Sequence, residues 1–191
     1  MSAPRLAYKF LARGAIGPVS RVRWPLPSPG GAGPWLAADA PLAVCRSGVH
    51  ACLKDQLAFW LHEELWQVEL EGELRSGLDC VVSPRGRLLA RVDAWSESGG
   101  AHRFAAAVRD HATALIDERP PAERDAFLGY VADATWHVEH GQLESPALAA
   151  LCASMAVAKL SESLGLGSLE EAYRRERAWQ SEWIVDQMGL S

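Results

Sequence analysis

Long apolar runs are missing from this chain. A membrane-spanning helix needs roughly 18 consecutive apolar residues, and the longest candidate, Pro146 to Ala158, is shorter and carries Ser154. No secretory leader is expected either: Arg5 and Lys9 stand near the start, but no apolar stretch leads to a small-residue cleavage site. These absences predict a cytoplasmic protein with no membrane partner. Cysteine is scarce, with four residues at uneven spacings, which excludes a disulfide-stapled secreted framework. Cys80 and Cys152 are expected to behave as small buried apolar residues. No GxxxxGK(S/T) phosphate loop and no GxSxG nucleophile elbow occurs. Gly30-Gly31-Ala32-Gly33 is flanked by prolines and lacks the strand–helix frame of a dinucleotide fingerprint.

What is present is ordinary globular composition. The chain has 191 residues, 49% apolar and 23% charged, with a net charge of −5. That length buries a core without staples, and the mild acidity speaks only to solubility. Eight tryptophans against three tyrosines and four phenylalanines give indole contacts an outsized role.

The hydrophobic period changes along the chain. It is 2 up to about residue 96 and 3.6 after about residue 100, so Ser96 to Gly100 marks a soft boundary. The predicted fold class is α+β: a one-sided, mostly antiparallel sheet with one or two helices over 1–98, then a packed four-helix half over 99–191, the two sharing one core.

In the first half, Leu6, Tyr8, Phe10 and Ala12 alternate with Arg5, Lys9 and Arg13, predicting a strand with one wet face. Val19 to Trp24 is a second candidate strand. Pro25 to Pro34, with four prolines and three glycines, is read as an exposed loop. Val49 to Leu53 is a short strand and Asp55 to Glu64 a helix. On Leu65 to Leu74, Trp66, Val68, Leu70 and Leu74 face in, with Gln67, Glu69, Glu71 and Glu73 out. On Arg85 to Trp95, Leu88, Ala90, Val92 and Ala94 face in, with Arg85, Arg87, Arg91 and Asp93 out. Pairing these two strands lays an acidic ladder beside a basic one.

In the second half, Phe104, Ala105, Val108, Ala112, Leu115 and Ile116 form one helical stripe, and Phe127, Val131, Ala134 and Val138 another. Ser145 and Pro146 open a helix apolar nearly all round, expected to be the most buried. Ser168-Leu-Glu-Glu171 is a capping box for the last helix, with Tyr173, Trp179, Trp183 and Met188 along one side and Arg174, Arg175 and Arg177 on others.

The densest chemistry lies in Cys45-Arg-Ser-Gly-Val-His50-Ala-Cys52. His50 and Cys52, two apart on a strand, point the same way. With Cys45 and His62 from the next helix they make a possible zinc set, although Cys-x4-His-x-Cys matches no standard finger. Otherwise they are a half-buried strand with a hydrogen-bonded histidine and inert thiols. Asp133, His137 and His140 share one helix face; the favoured reading is a solvated face on which Asp133 pairs with His137, a ligand set being the alternative. Five Lys/Arg and no acid in the first 38 residues, with Arg85, Arg87 and Arg91, form a basic count; the acidic ladder offsets it, so nucleic acid is not an expected partner.

Gly48-Val-His50-Ala-Cys52, Glu64-Leu-Trp-Gln-Val-Glu-Leu-Glu-Gly72, Val81 to Val92 and the opening Tyr8-Lys9-Phe10 resemble a group of uncharacterised bacterial and phage proteins. That resemblance covers about half the chain and implies no activity. The order Gly48 to Trp60, then Leu65 to Leu74, also resembles the ADP-ribosyltransferase and RNA 2′-phosphotransferase fold. This second resemblance implies an NAD- or nucleotide-using transferase with Glu69 or Glu71 as its acid and Lys9 as an anion clamp. It departs from that pattern in offering Lys9 where a His or Arg is expected.

The reading favoured by the residues is a non-catalytic module binding a small molecule or a protein. Its site is placed at His50, Cys52 and Lys9 beside the Pro25–Pro34 loop, with no cofactor. The transferase using NAD and a small zinc protein are the alternatives.

Overall fold

In a computed structural model, the structure describes residues 4–38, 41–97, 99–118, 124–129, 131–132 and 145–190. The chain is α+β and divides into two compact units, Met1–Ser98 and Gly99–Ser191. Among the described residues no helix is long and apolar enough to cross a membrane.

The first unit holds β1 (Arg5–Leu11), β2 (Leu36–Ala37), β3 (Val49–Ala51), a 3-10 helix (Lys54–Phe59), β4 (Glu64–Glu71), β5 (Arg75–Ser76), β6 (Val81–Ser83), β7 (Arg85–Arg91) and the single-turn α1 (Asp93–Ser96). Two sheets form, ordered β1-β4-β7-β2 and β3-β6-β5, with every pair antiparallel. A bridge between Tyr8 and Cys52 links them, with backbone bonds of 2.8 and 2.7 Å. One buried cluster takes Ala7, Leu11, Trp66, Val68, Leu70 and Leu88 from the first sheet and Val49, Ala51 and Val81 from the second.

The acid–base ladder forms as the alternation predicts. Register sets Glu69 opposite Arg87 and Glu71 opposite Arg85, and both pairs are bonded ion pairs. Trp35 lies against both guanidiniums, 4.7 Å from Arg85 and 4.5 Å from Arg87, an arrangement in which the ring quadrupole attracts each cation.

Four expectations need correction. β1 has no wet face: Ala7, Tyr8, Phe10 and Leu11 are all buried, while Leu6 is 42% exposed. Pairing puts Ala7, Lys9 and Leu11 on the face of Trp66 and Val68. The other face is covered as well, where Phe10 meets the edge of Trp95 at 5.1 Å. On β7, Ala90 is exposed, because a bulge at Leu89 breaks the register between Gln67 and Val68 and reverses the alternation beyond it. The stretch Val19–Trp24 forms no strand; Val19 is 82% exposed on a turn. The helix expected over Asp55–Glu64 shortens to the 3-10 segment.

The second unit holds α2 (Gly100–Asp117), α3 (Ser145–Ser163) and α4 (Leu169–Met188); residues 124–129 and 131–132 are also helical. α3 packs against both α2 and α4. The Ser168 capping box forms: its Oγ accepts from the Glu171 N–H at 3.2 Å, and the Glu171 carboxylate accepts from the Ser168 N–H at 3.1 Å. The buried stripe of α4 differs from expectation. It is Ala172, Glu176, Arg177, Gln180, Ser181, Ile184 and Met188, with Tyr173, Trp179 and Trp183 only partly buried. Polar residues go inward because they find partners there. The Gln180 amide donates to Ser154 Oγ at 2.9 Å, to the Ala150 carbonyl at 3.2 Å and to Glu176 at 3.3 Å. Arg177 donates to the Gln180 carbonyl oxygen at 3.1 Å.

Candidate functional site

The first unit contains a cavity of about 390 Å³, the size of small-molecule sites. Its walls come from β1, the 17–22 turn, Trp24, the β2 strand, the 45–48 turn, β3, Trp60 and Cys80. Lys9, His50 and Cys52 all line it. The Pro25–Pro34 loop does not; only its flanks, Trp24 and Leu36–Ala38, reach the wall.

Lys9 enters the cavity from the core face of β1. Its ammonium donates to the His50 carbonyl at 2.6 Å and stands 5.4 Å from the Trp24 ring centre. Among the described residues no carboxylate pairs with it, and none lines the cavity, whereas Arg46 also does. Burial lowers the Lys9 pKa, opposed by the nearby Cys52 and Cys80 thiols. The Cys52 thiol cannot supply a counter-charge at neutral pH, because burial pushes it up to about 12. A crowded cation without a fixed anion costs free energy that a bound anion returns.

His50 sits on β3 through the sharp entry at Gly48, whose φ is +118°. A Cβ there would overlap Val82 Cγ2 and lie 3.3 Å from the Ser83 oxygen, so glycine meets both the dihedral and the space. The Gly48 carbonyl lies 3.1 Å from His50 Nδ1. A carbonyl only accepts, so Nδ1 carries the proton and a neutral ring leaves a bare lone pair on Nε2. Burial lowers the His50 pKa and Lys9 adds to it, while the Gly48 and Ala43 carbonyls and the Asp79 charge oppose it. Nε2 is buried and makes no hydrogen bond among the described residues. The cavity thus offers a cation set among indoles, thiols and aliphatic groups.

Glu69 and Glu71 do not join this site. They occupy the opposite face of β4 from Lys9, are held by Arg87 and Arg85, and are absent from the cavity wall. The residues that the transferase resemblance assigns to NAD are therefore not gathered around one point. The zinc set of Cys45, His50, Cys52 and His62 is not assembled either: His62 Nδ1 accepts from the Glu63 N–H at 2.9 Å and lies outside the wall. The ligand-type atoms that do converge are those of Cys45, Asp79 and Cys80. Asp133, His137 and His140 lie outside the described residues.

Sequence reading missed Trp24, Trp60, Asp79 and Cys80 as neighbours of this site. They come from three separate segments of the chain, and no periodicity links them.

No protein-family model matches the chain, and no curated protein or solved structure matches it.

Proposed function

We propose that the first unit binds a small organic anion in the cavity beneath the 17–22 and 45–48 turns. The observation that supports this most directly is the Lys9 ammonium, crowded by protein with no carboxylate partner among the described residues. In this reading the anionic group of the ligand meets Lys9, with Arg46 at the wall adding attraction. The apolar body lies against Trp24 and Trp60, and no covalent step is involved.

The test is calorimetric titration with a panel of small aromatic and aliphatic carboxylates and their uncharged amides. Carboxylates are expected to bind and amides to fail. Lys9→Met, which keeps the side-chain volume, is expected to weaken binding by about 2 kcal/mol or more, roughly thirtyfold. Equal affinity for acid and amide, or undiminished binding by the Lys9→Met protein, overturns the proposal.

A further inference from the structure

Two turns meet at one end of the cavity. The first, over 43–47, is closed by the Ser47 N–H bonding to the Ala43 carbonyl at 2.9 Å and the Ala43 N–H to the Ser47 carbonyl at 3.0 Å. At its tip Cys45 has φ +60°, a left-handed conformation uncommon for a residue with a Cβ. The second, over 77–80, is held by three hydrogen bonds. The Gly77 N–H donates to the Cys80 carbonyl at 2.7 Å, the Gln56 amide to the Gly77 carbonyl at 3.3 Å, and the Trp60 indole to the Asp79 carbonyl at 2.7 Å. The turns approach closely because residue 77 is glycine: a Cβ there would fall 2.6 Å from Val44 Cγ1.

The result is a compact donor set. Cys45 Sγ and Cys80 Sγ are 3.9 Å apart, and with an Asp79 carboxylate oxygen all three atoms lie within 4.8 Å of one another. A disulfide needs about 2.05 Å. The edge of a tetrahedron around zinc with Zn–S bonds of about 2.3 Å is about 3.8 Å, and the two sulfurs stand at that spacing. Two sulfurs and a carboxylate select a borderline-soft cation over magnesium or calcium.

We infer that Cys45, Asp79 and Cys80 form a three-ligand site for a thiophilic divalent cation of the zinc class, its fourth position open to the cavity that Cys45 and Cys80 line. Binding converts both thiols to thiolates, so two protons leave for each cation bound. The affinity therefore rises with pH. The site uses neither Lys9 nor His50 and stands whether or not the cavity takes an organic anion.

The experiment titrates cadmium, as a spectroscopic stand-in for zinc, into chelator-stripped protein kept reduced with a phosphine. The expected result is a thiolate-to-metal charge-transfer band in the ultraviolet that saturates at one equivalent and disappears on adding competing zinc. The band is lost in Cys45→Ser, an exposed position where folding is preserved, and in Cys80→Ser. It survives in Cys152→Ser and in Lys9→Met, which separates this site from the anion reading. Absence of the band in the wild-type protein overturns the inference, as does its persistence in the Cys45→Ser/Cys80→Ser double variant. Isolation of the chain with a Cys45–Cys80 disulfide from that reduced preparation overturns it as well.

Discussion

Glu176 on α4 provides the sharpest test of the packing in the helical unit. It is 3% exposed, lies 3.2 Å from His111 Nε2 on α2, and accepts from the Gln180 amide at 3.3 Å. The His111 ring is stacked flat on Trp179, 3.7 Å between centres. An ion pair between Glu176 and His111 would lower the carboxyl pKa and raise the imidazole. Instead burial raises Glu176 from 4.5 to about 7, with Gln180 and Arg177 opposing, and burial lowers His111. Loss of hydration outweighs their attraction, and the pair is best described as a neutral hydrogen bond. The folded state then holds the Glu176 proton more tightly than the unfolded chain does. The penalty is absent well below 4.5, builds as pH rises through that value and is complete above about 7. Between about pH 5 and about pH 8 it grows by about 2.5 kcal/mol, taking about 1.4 kcal/mol per pH step. Glu176→Gln keeps the acceptor for Gln180 and a donor for His111 but cannot ionise. Urea unfolding of both proteins across that range is expected to show nearly equal stability at the acid end. At the alkaline end the variant is the more stable by roughly 2–3 kcal/mol. A pH-independent difference, or a wild-type advantage that grows with pH, refutes the reasoning.

Other outcomes follow from the same structure. Gly48→Ala places a Cβ against Val82 at a φ of +118° and is expected to cost about 2–3 kcal/mol in urea unfolding, with loss of carboxylate binding because His50 shifts with the strand. Glu69→Gln/Glu71→Gln is expected to lower stability by no more than about 1 kcal/mol per pair, less in high salt, and to leave calorimetric binding in the cavity unchanged; abolished binding would place those carboxylates in the site after all. Ser168→Ala removes the α4 cap and is expected to cost about 1 kcal/mol by urea unfolding, while Ser168→Asn is expected to recover most of it.

The elements legible in the sequence were those whose pattern is local. β4 and β7 alternate cleanly, so their charges could be paired residue by residue, and the Ser168 box is complete within four positions. Lys9 was misplaced because alternation reports which residues share a face, not which face is covered, and both faces of β1 are buried. Ala90 was misplaced because the Leu89 bulge leaves no trace in composition. The inward stripe of α4 was hidden because Glu176, Arg177 and Gln180 look like a wet face until Ser154 and His111 are brought to them by other helices. At the cavity, the His50 segment stood out by its own chemistry. Cys80 was read as inert because its relation to Cys45 depends on two turns and on the missing side chain of Gly77.

Trp60 has two attachments in the first unit. Its ring forms part of the cavity wall, and its indole N–H grips the backbone of Asp79. One side chain is thereby attached in both places: an occupant of the proposed kind that leans on the ring is expected to displace the strip of chain bearing Asp79 and Cys80. By thermodynamic reciprocity, whatever stiffens that strip also changes how readily the hollow is filled.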